Sequence, residues 1–327
     1  MAGSDSSITN SLVNSKTSAV VFVNPLAGGG RTGAYLLRIQ ELFERQEIHA
    51  DFIVTEDAAG LETRARAVVG SGHKFLLAMG GDGTFQGLVN ATYGCDVLLG
   101  VLPTGGGNDF ARALGLPRDP VAAAKAVING APRAVDLLRI RTADGRERLC
   151  TGGGGVGVDV IAAQHAAGTF RKLPGRLRYI ASVLRSLHGF TPLHVRVQFP
   201  GSALPAMQGR VMLAGVLNAP SYGAGLRLAP GAQIDDGLLK VVLVQELSAL
   251  QKVGVLPALI LSGGIGKRFT KQTRARKALL LTDRPSFFHG DGEILGPAPV
   301  EIEVVAKGAM VLAPSALHSG GEKDRGS

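Results

Sequence analysis

The chain has 327 residues, of which 45% are hydrophobic and 19% are charged, and its formal net charge is +9. These values suit one large or two ordinary globular domains and exclude wholesale disorder. The positive charge favours an anionic partner: a nucleotide, an anionic membrane surface or a nucleic acid. Aromatic residues make up only 5% and Trp is absent, which argues against a stacking platform for single-stranded nucleic acid.

The cysteines and the apolar runs restrict the location of the protein. Cys95 and Cys150 are too few for a disulfide framework or a structural zinc site. Residues 1–17 lack the apolar segment of a signal peptide. The apolar runs 238–244 and 253–261 are too short to span a bilayer. We therefore expect a cytoplasmic protein whose contact with a membrane is peripheral.

The region 18–142 alternates short apolar runs with segments of helical periodicity. Leu36, Ile39 and Phe43, for example, fall on one face of a helix. Repeats of strand, turn and helix predict a doubly wound α/β domain with a parallel sheet and helices on both of its faces. The predicted strands are 18–23, 51–54, 74–79 and 97–102, and the predicted helices are 35–46, 61–69 and 85–93.

The region 143–314 has a different pattern. Strand-like runs separated by turn residues predict a mostly antiparallel β domain, a β-sandwich, with helices near 177–187 and 247–260. Its last strand is a candidate to return to the first domain. The polar ends, 1–17 and 315–327, are expected to be disordered tails. The predicted strands are 194–199, 210–217, 238–244, 278–281, 300–305 and 309–312.

Three strands of the first domain are followed by a glycine-rich turn and a helix. Backbone N–H groups in such turns attract phosphate, and open α/β sheets bind ligands at the carboxyl ends of their strands. The first turn contains G-x-G-x-x-G at Gly28, Gly30 and Gly33, which is a weak signal for a dinucleotide site. Its acidic partner would be Glu56 or Asp57. An ordinary tight turn is the alternative.

The second turn, Gly80 to Thr84, places Asp82 between glycines at a helix start. A carboxylate beside phosphate is electrostatically unfavourable unless a cation such as Mg²⁺ bridges the two. The alternative role for Asp82 is a helix N-cap. The third turn ends in Asn108 and Asp109. Both also have a purely structural explanation, with Asn108 as the cap of the following helix and Asp109 as an acidic residue in its first turn.

The order and spacing of these turns resemble the catalytic domain of diacylglycerol kinases, in the bacterial branch that includes relatives of sphingosine kinases. The resemblance extends over residues 20 to about 295. Its motifs are Asn24-Pro25 with Gly28, Gly80 through Thr84, Pro103 through Arg112, Tyr222-Gly223-Ala224-Gly225, Ile234-Asp235-Asp236-Gly237-Leu238 and His289-Gly290-Asp291-Gly292-Glu293.

The resemblance implies a two-domain fold like that of NAD kinases, with ATP between the α/β domain, 18–142, and a lipid-substrate β-sandwich domain, 143–314. Asp291 and Glu293 are both candidates for the catalytic base. The implied nucleotide contacts are Asn24, Pro25, Gly28, Thr55, Gly80, Gly81, Asp82, Gly83, Thr84, Phe85, Gln86, Gly106, Asn108 and Asp109.

The resemblance also implies two places for Mg²⁺. One is Asp82, where the cation would lie beside the phosphates. The other is a structural site formed by the Asp236 carboxylate with backbone oxygens of Gln233 and Leu238. The alternative role for Asp236 is a turn residue before Gly237.

Three positions depart from the family pattern. Gly106 replaces a threonine whose hydroxyl faces phosphate, and Thr104 is the only neighbouring candidate to supply another. Gly87 replaces a glutamate, and Thr151 replaces an asparagine. The missing hydrogen bond is worth roughly 1.5–3 kcal/mol, which would weaken ATP binding without abolishing it.

Two basic groups are candidates for contact with anionic lipid, at about 1 kcal/mol per residue. Phe170 and Phe269 are candidates to insert. A solvated surface is the alternative, no motif supports nucleic acid binding, and a homodimer is left open. The basic residues are Arg171, Lys172, Arg176, Arg178 and Arg185, and Lys267, Arg268, Lys271, Arg274, Arg276 and Lys277.

The sequence therefore predicts an ATP- and Mg²⁺-dependent lipid kinase, with diacylglycerol as the first-choice acceptor. Ceramide-like bases, monoacylglycerol and phosphatidylglycerol also fit. The competing functions are an NAD kinase, a non-catalytic module that binds nucleotide or lipid, and a dinucleotide-binding oxidoreductase.

Overall fold

The computed structural model of the chain describes residues 18–170, 175–187, 189–223, 225–248, 251 and 265–315. Fifteen strands in this part are connected by hydrogen-bonded pairing. The predicted tails, apart from Ser315, and most of the predicted helix at 247–260 lie outside it. No helix in the described ranges is both long and apolar enough to cross a bilayer.

The first half contains four parallel strands in the order β2-β1-β3-β4. All residues of β1 and β3 are buried, as expected for central strands covered on both faces. The four predicted strands are confirmed to within one residue at each end. The strands are β1, Ala19–Val23; β2, Ala50–Val54; β3, Phe75–Gly80; and β4, Leu98–Pro103.

Three helices connect these strands: α1, Thr32–Arg45; α2, Ala58–Gly70; and α3, Asp82–Thr92. All three begin three residues before the predicted start. The periodic apolar residues of each helix begin only after its first helical turn, whereas the backbone is helical directly after the N-cap. At α2, for example, the Asp57 carboxylate accepts the Gly60 N–H at 2.6 Å.

Two more helices follow: α4, Asp109–Ala113, which begins where the third glycine turn predicted a helix, and α5, Pro120–Ile128, which was not predicted. The second has a recognisable start, because Asp119 accepts the Ala122 N–H at 2.8 Å and Pro120 occupies the first helical position. The short segment Ala27–Gly30 is not a regular helix, since Gly28 and Gly29 have positive φ values of 62° and 76°.

The second half is mostly antiparallel, and its strands enclose a core of its own. Buried residues of this core include Val195, Val241 and Phe288. The strands are β5, Ala131–Thr142; β6, Glu147–Cys150; β7, Gly153–Gly157; β8, Leu193–Gln198; β9, Met207–Leu217; β10, Leu239–Gln245; β11, Thr270–Ala275; β12, Lys277–Thr282; β13, Phe287–Gly290; β14, Glu293–Pro297; and β15, Val300–Ala313.

Two further helices belong to this half. Helix α6, Val158–Ala167, follows β7 and was not predicted, whereas α7, Gly175–Leu187, matches the helix predicted near 177–187. The two helices pack against each other.

The last strand joins the two halves. Residues 300–305 and 309–312, predicted as separate strands, form the single strand β15, interrupted by a bulge between Val305 and Ala309. It pairs antiparallel with β5 along its length and parallel with β4 at Met310 and Val311. This pairing attaches the amino end of β4 to the antiparallel half. The cleft described below lies at the opposite, carboxyl end of the parallel strands.

Candidate active site

A cleft of about 500 Å³ lies at the carboxyl ends of β1, β3 and β4. One wall consists of the three glycine turns, and the other comes from the second half. The first wall includes Asn24, Gly28, Thr55, Gly81, Asp82, Gly83, Thr84, Gly105, Gly106, Gly107 and Asp109. The second includes Gly152, Ala163, Ser221, Tyr222, Gly223, His289, Asp291, Gly292 and Glu293.

The three glycine turns touch one another through their backbones. A Cβ at Gly28 would lie 2.2 Å from the Thr104 carbonyl oxygen, and a Cβ at Gly105 would lie 2.5 Å from the Gly81 Cα. Side chains are excluded at both points, and Gly28 also has a positive φ. Asn24 Nδ2 donates to Thr84 Oγ1 at 3.1 Å. The sequence therefore brings backbone N–H groups from three strand ends to one place, a concave anion site.

Asp82 lies at the centre of this wall. Its carboxylate accepts backbone N–H groups of Asp109 at 3.2 Å and Phe110 at 3.1 Å. It is not the N-cap of its own helix, a position held by Gly81; it holds the start of α4 instead. Burial raises the pKa of Asp82 to about 7, and the charges of Asp109 and Asp291 add to this shift. Asp82, Asp109 and Asp291 thus share one cleft, and no basic side chain in the described part of the chain forms an ion pair with Asp82.

Asp109 connects the two walls. Its carboxylate accepts the Ser221 hydroxyl at 2.7 Å and lies 3.5 Å from Arg112. Arg112 in turn donates to the Gly107 carbonyl at 2.8 and 3.1 Å. A Cβ at Gly225 would lie 3.2 Å from the Arg112 guanidinium. The segment after Asn108 therefore holds the Tyr222–Gly225 turn of the second half against the glycine turns.

Asp291 is anchored on all sides. One carboxylate oxygen accepts the N–H groups of Gly152 and Gly153 at 3.0 and 3.1 Å. The other accepts the Thr151 N–H at 2.5 Å and the Thr151 hydroxyl at 3.0 Å. Burial raises the pKa of Asp291 to about 6, and these donors oppose the shift. Its φ of 46° is unusual for a residue with a side chain. The four donors hold it in this conformation.

Glu293 has a different environment. Its side chain lines the cleft and makes no hydrogen bond or ion pair with another described residue. A Cβ at Gly83 would lie 3.7 Å from Glu293 Oε1, so this carboxylate approaches the start of α3 closely. Burial raises the pKa of Glu293, the positive charge of Arg148 lowers it, and the charge of Glu62 raises it further.

A buried polar network lies behind this loop. The Tyr222 hydroxyl contacts Asp159 Oδ2 at 3.0 Å and His289 Nδ1 at 2.6 Å. Burial raises the pKa of Asp159 to about 7 and lowers that of His289 to about 4, so the imidazole is neutral at neutral pH. Tyr222 therefore joins β13, which leads into Asp291, to the start of α6. No motif in the sequence marks the role of Asp159.

Residues 18–140 match the diacylglycerol kinase catalytic domain, and residues 154–313 match the YegS C-terminal NAD kinase beta sandwich-like domain. A protein of Mycobacterium tuberculosis named diacylglycerol kinase is 30% identical over 293 residues, which cover 89% of this chain and 93% of that protein. The chain belongs to the diacylglycerol kinase family.

Other relatives agree with this assignment. The "Probable lipid kinase YegS-like" protein of Stenotrophomonas maltophilia is 30% identical over 270 residues, covering 80% of this chain and 85% of that protein. A crystal structure of a diacylglycerol kinase from Bacillus anthracis has a TM-score of 0.68 at 18% identity, covering 91% of this chain and 97% of that one. The predicted α/β and β-sandwich architecture is confirmed, and the protein is a kinase of this family.

Within this kinase, several predicted nucleotide contacts lie outside the lining of the cleft, and we revise them. Phe85 is fully buried and stacks on Phe110 with ring centroids 5.1 Å apart. Gln86 is buried and donates to Cys150 Sγ at 3.1 Å. These helical residues follow Asp82 in sequence but face the core. Pro25, Gly80 and Asn108 also lie outside the cleft lining.

The last two of these residues shape the turns. A Cβ at Gly80 would lie 2.3 Å from Thr84 Oγ1, so only glycine fits there. Asn108 has a positive φ of 56°, and its side chain donates to the Gly105 carbonyl at 2.9 Å. It therefore stabilises the third turn and does not make the cap hydrogen bond that the sequence suggested.

The three departures from the family pattern have local explanations. Thr104 does not replace the missing hydroxyl, because its Oγ1 is buried and pairs with Thr32 Oγ1 at 2.9 Å. Gly106 and Gly87 line the cleft without side chains. Thr151 retains a donor at the asparagine position, since its hydroxyl and N–H both contact Asp291.

At the predicted structural cation site, unlike at Asp82, a basic side chain lies near the carboxylate. Asp236 Oδ1 accepts the Leu238 N–H at 3.0 Å, and Oδ2 lies 3.7 Å from Arg274. The alternative role, a turn residue, accounts for these contacts. The turn is held by buried Asp136, which accepts the N–H groups of Gly237 at 2.6 Å and Lys307 at 2.8 Å. Because Arg274 already balances Asp236, the fit to Mg²⁺ is poor with these contacts in place.

Proposed function

We propose that the protein is an ATP-dependent, Mg²⁺-requiring kinase that transfers the γ-phosphate to a lipid hydroxyl, with diacylglycerol as the first acceptor. The observation that carries this proposal is the shared cleft. Glu293 of the second half approaches Gly83 at the start of α3, and the three glycine turns converge beside it. A phosphate donor and a base from different halves are therefore within reach of one acceptor.

The glycine turns would hold the phosphates through backbone N–H groups and the N-terminus of α3. Phosphoryl transfer needs positioning and charge stabilisation more than covalent participation by the protein, and a preformed backbone cradle supplies both. Asn24, Thr55 and Thr84 line the same wall and are the polar side chains available to orient the nucleotide.

The residues around Asp82 fit a divalent cation. Burial and two neighbouring acids raise its pKa to about 7, so a cation would relieve repulsion that the protein itself does not balance. Mg²⁺ usually takes only one or two carboxylates and completes its shell with phosphates and water. Asp82, with Asp109 nearby, would hold it. When bound with ATP, Mg²⁺ neutralises the charge on the phosphate oxygens.

Glu293 is the better base of the two candidates. A carboxylate offers about four acceptor positions, and all four on Asp291 are occupied by Thr151, Gly152 and Gly153. Glu293 keeps its acceptor positions open towards the cleft and can take the proton of the attacking hydroxyl. Asp291 would instead fix the loop that carries Glu293.

The remaining parts of the proposal concern location and boundaries. The net charge of +9 and a lipid acceptor support peripheral attachment of a cytoplasmic enzyme to an anionic membrane. The domain boundaries 18–142 and 143–314 stay a prediction. Binding of nucleic acid is not proposed, and a homodimer is left to measurement.

One assay tests the proposal. Purified protein is incubated with γ-labelled ATP, Mg²⁺ and a panel of short-chain diacylglycerol, monoacylglycerol, a sphingoid base, ceramide and phosphatidylglycerol, with NAD as a separate acceptor. Label in phosphatidic acid is the expected result. Label in another lipid would correct the acceptor, and label only in NADP, or ATP binding without any transfer, would contradict the proposal.

A further inference from the structure

Helix α7 exposes apolar side chains and buries polar ones. Leu177 is 61% exposed and Leu184 is 37% exposed, whereas Ser182 and Ser186 are buried. Ser186 donates its hydroxyl to the Ser182 carbonyl at 2.7 Å. Two leucines of this helix are therefore exposed, although apolar side chains of a surface helix usually face the core.

The exposed leucines form one stripe. At about 100° per residue, positions seven apart differ by only about 20° around the helix axis, so Leu177 and Leu184 point in nearly the same direction. Arg185 is exposed beside this stripe. Arg268, in the short 3-10 segment Lys267–Phe269, is also exposed and lies over the Phe269 ring at 4.5 Å.

The position of α7 links this surface to the cleft. Helix α7 packs against α6, and Ala163 of α6 lines the second wall of the cleft. The end of α7 and the 3-10 segment meet on one apolar cluster, because Leu187 and Phe269 both pack against it. Helix α6 therefore connects α7 to the second wall of the cleft.

We propose that the exposed face of α7, formed by Leu177, Leu184 and Arg185, is the surface that docks on an anionic lipid bilayer. The leucines would enter the acyl boundary while the arginine stays at the headgroups, as in interfacial amphipathic helices. This inference deepens the proposed function, on which its purpose rests, by naming where the enzyme meets the lipid. Phe170 and Phe269, which are partly exposed, stay predicted candidates for insertion.

An anionic bilayer fits this face better than a second copy of the chain. The chain carries a net charge of +9, so two copies repel each other, whereas an anionic surface attracts each basic residue beside the stripe. A bilayer also accepts leucines and arginine together, because the charged head remains in the polar layer.

The test uses the full chain and vesicles of phosphatidylcholine with or without phosphatidylglycerol. The double variant Leu177→Ser/Leu184→Ser removes the stripe. The matched control is Leu37→Ser/Leu204→Ser, because Leu37 and Leu204 are 70% and 39% exposed on α1 and on the loop before β9. Arg185→Gln tests the charge, with exposed Arg38→Gln of α1 as its control.

We expect the double variant to bind anionic vesicles about tenfold or more weakly, given the apolar area that two leucines contribute. Arg185→Gln should weaken binding about fivefold, and both controls should bind like the parent chain. Thermal unfolding and turnover of a soluble short-chain diacylglycerol should be unchanged in all variants.

Undiminished vesicle binding by the double variant would overturn the proposal. So would a parent chain that ignores vesicles while the double variant, in size-exclusion chromatography, converts a dimer to a monomer. If the parent chain fails to phosphorylate any soluble lipid, the proposed function fails instead, and the vesicle measurement still decides the role of α7.

Discussion

The two walls of the cleft are built in opposite ways. The first wall consists of three contiguous turns, each directly after a strand, and its chemistry resides in backbone N–H groups. The second wall includes Tyr222 and the Asp291–Glu293 loop. These are held in place by Asp159 and Thr151, which are far from them in sequence. The first wall is therefore set by local glycine geometry, and the second depends on side-chain contacts between distant elements.

This difference teaches which substitutions should harm binding and which should harm transfer. Changes to the first wall should mainly affect nucleotide and Mg²⁺, while changes to the second should mainly affect turnover. Four variants test this division, beginning with the largest expected effect.

Glu293→Gln should lower kcat by about 10²- to 10⁴-fold, because the variant loses the proposed base. The KM for ATP should change little, since Glu293 belongs to the second wall. Initial rates at saturating lipid measure the effect, with Glu303→Gln on β15 as a control of the same chemistry. A kcat within a factor of two of the parent value would remove Glu293 from the mechanism.

Asp82→Asn should raise the Mg²⁺ concentration needed for half-maximal activity by about 10- to 100-fold. Loss of a residue that only supports a metal ligand already lowers metal affinity by about this factor. The side-chain amide of this variant also turns an N–H donor towards the backbone N–H donors of Asp109 and Phe110. Thermal unfolding is therefore measured in parallel. Asp119→Asn, at the cap of α5, is the control. An unchanged Mg²⁺ dependence would show that the cation is held elsewhere.

Tyr222→Phe should lower kcat about tenfold while the KM for ATP is retained. The change leaves Asp159 and His289 buried without their shared partner, at a cost of about 1–3 kcal/mol in unfolding free energy. Nitrogen chemical shifts of His289 should also report an altered tautomer. Tyr93→Phe removes a hydroxyl that accepts from exposed Arg139 and should alter none of these quantities. A stability loss with normal kcat would limit Tyr222 to a structural role.

Arg148→Gln should shift the acid limb of the kcat profile to higher pH. Arg148 lowers the pKa of Glu293, so its removal raises that pKa, and the base becomes ionised only at higher pH. A pH–rate profile measures the shift, with Arg146→Gln, whose partner is Asp144, as the control. A shift of the acid limb to lower pH, or no shift, would show that the ionisation of Glu293 does not set this limb.

The sequence predicted the first wall well, and physical reasons explain where it failed. Runs of apolar residues identified β1 to β4, and the glycine runs identified the turns that line the cleft, because both signals are local. The burial of the Phe85 and Gln86 side chains carries no such local signal, because it depends on contacts with Phe110 and Cys150. Asp159 carries no local signal at all, because its role appears only when Tyr222 and His289 fold against it.

The second wall was predicted in outline by the resemblance, which named Asp291 and Glu293 without choosing between them. The choice depends on Thr151, Gly152 and Gly153, about 140 residues earlier in the chain. No spacing pattern reports that four donors occupy one carboxylate, so only the structure could assign the free carboxylate to Glu293.

The most direct test of the account is a crystal structure with Mg²⁺, a non-hydrolysable ATP analogue and a short-chain diacylglycerol. The account predicts the triphosphate on the three glycine turns, the cation on Asp82, and the acceptor hydroxyl hydrogen-bonded to Glu293. A triphosphate bound away from these turns, or a hydroxyl that contacts Asp291 while Glu293 points elsewhere, would contradict it.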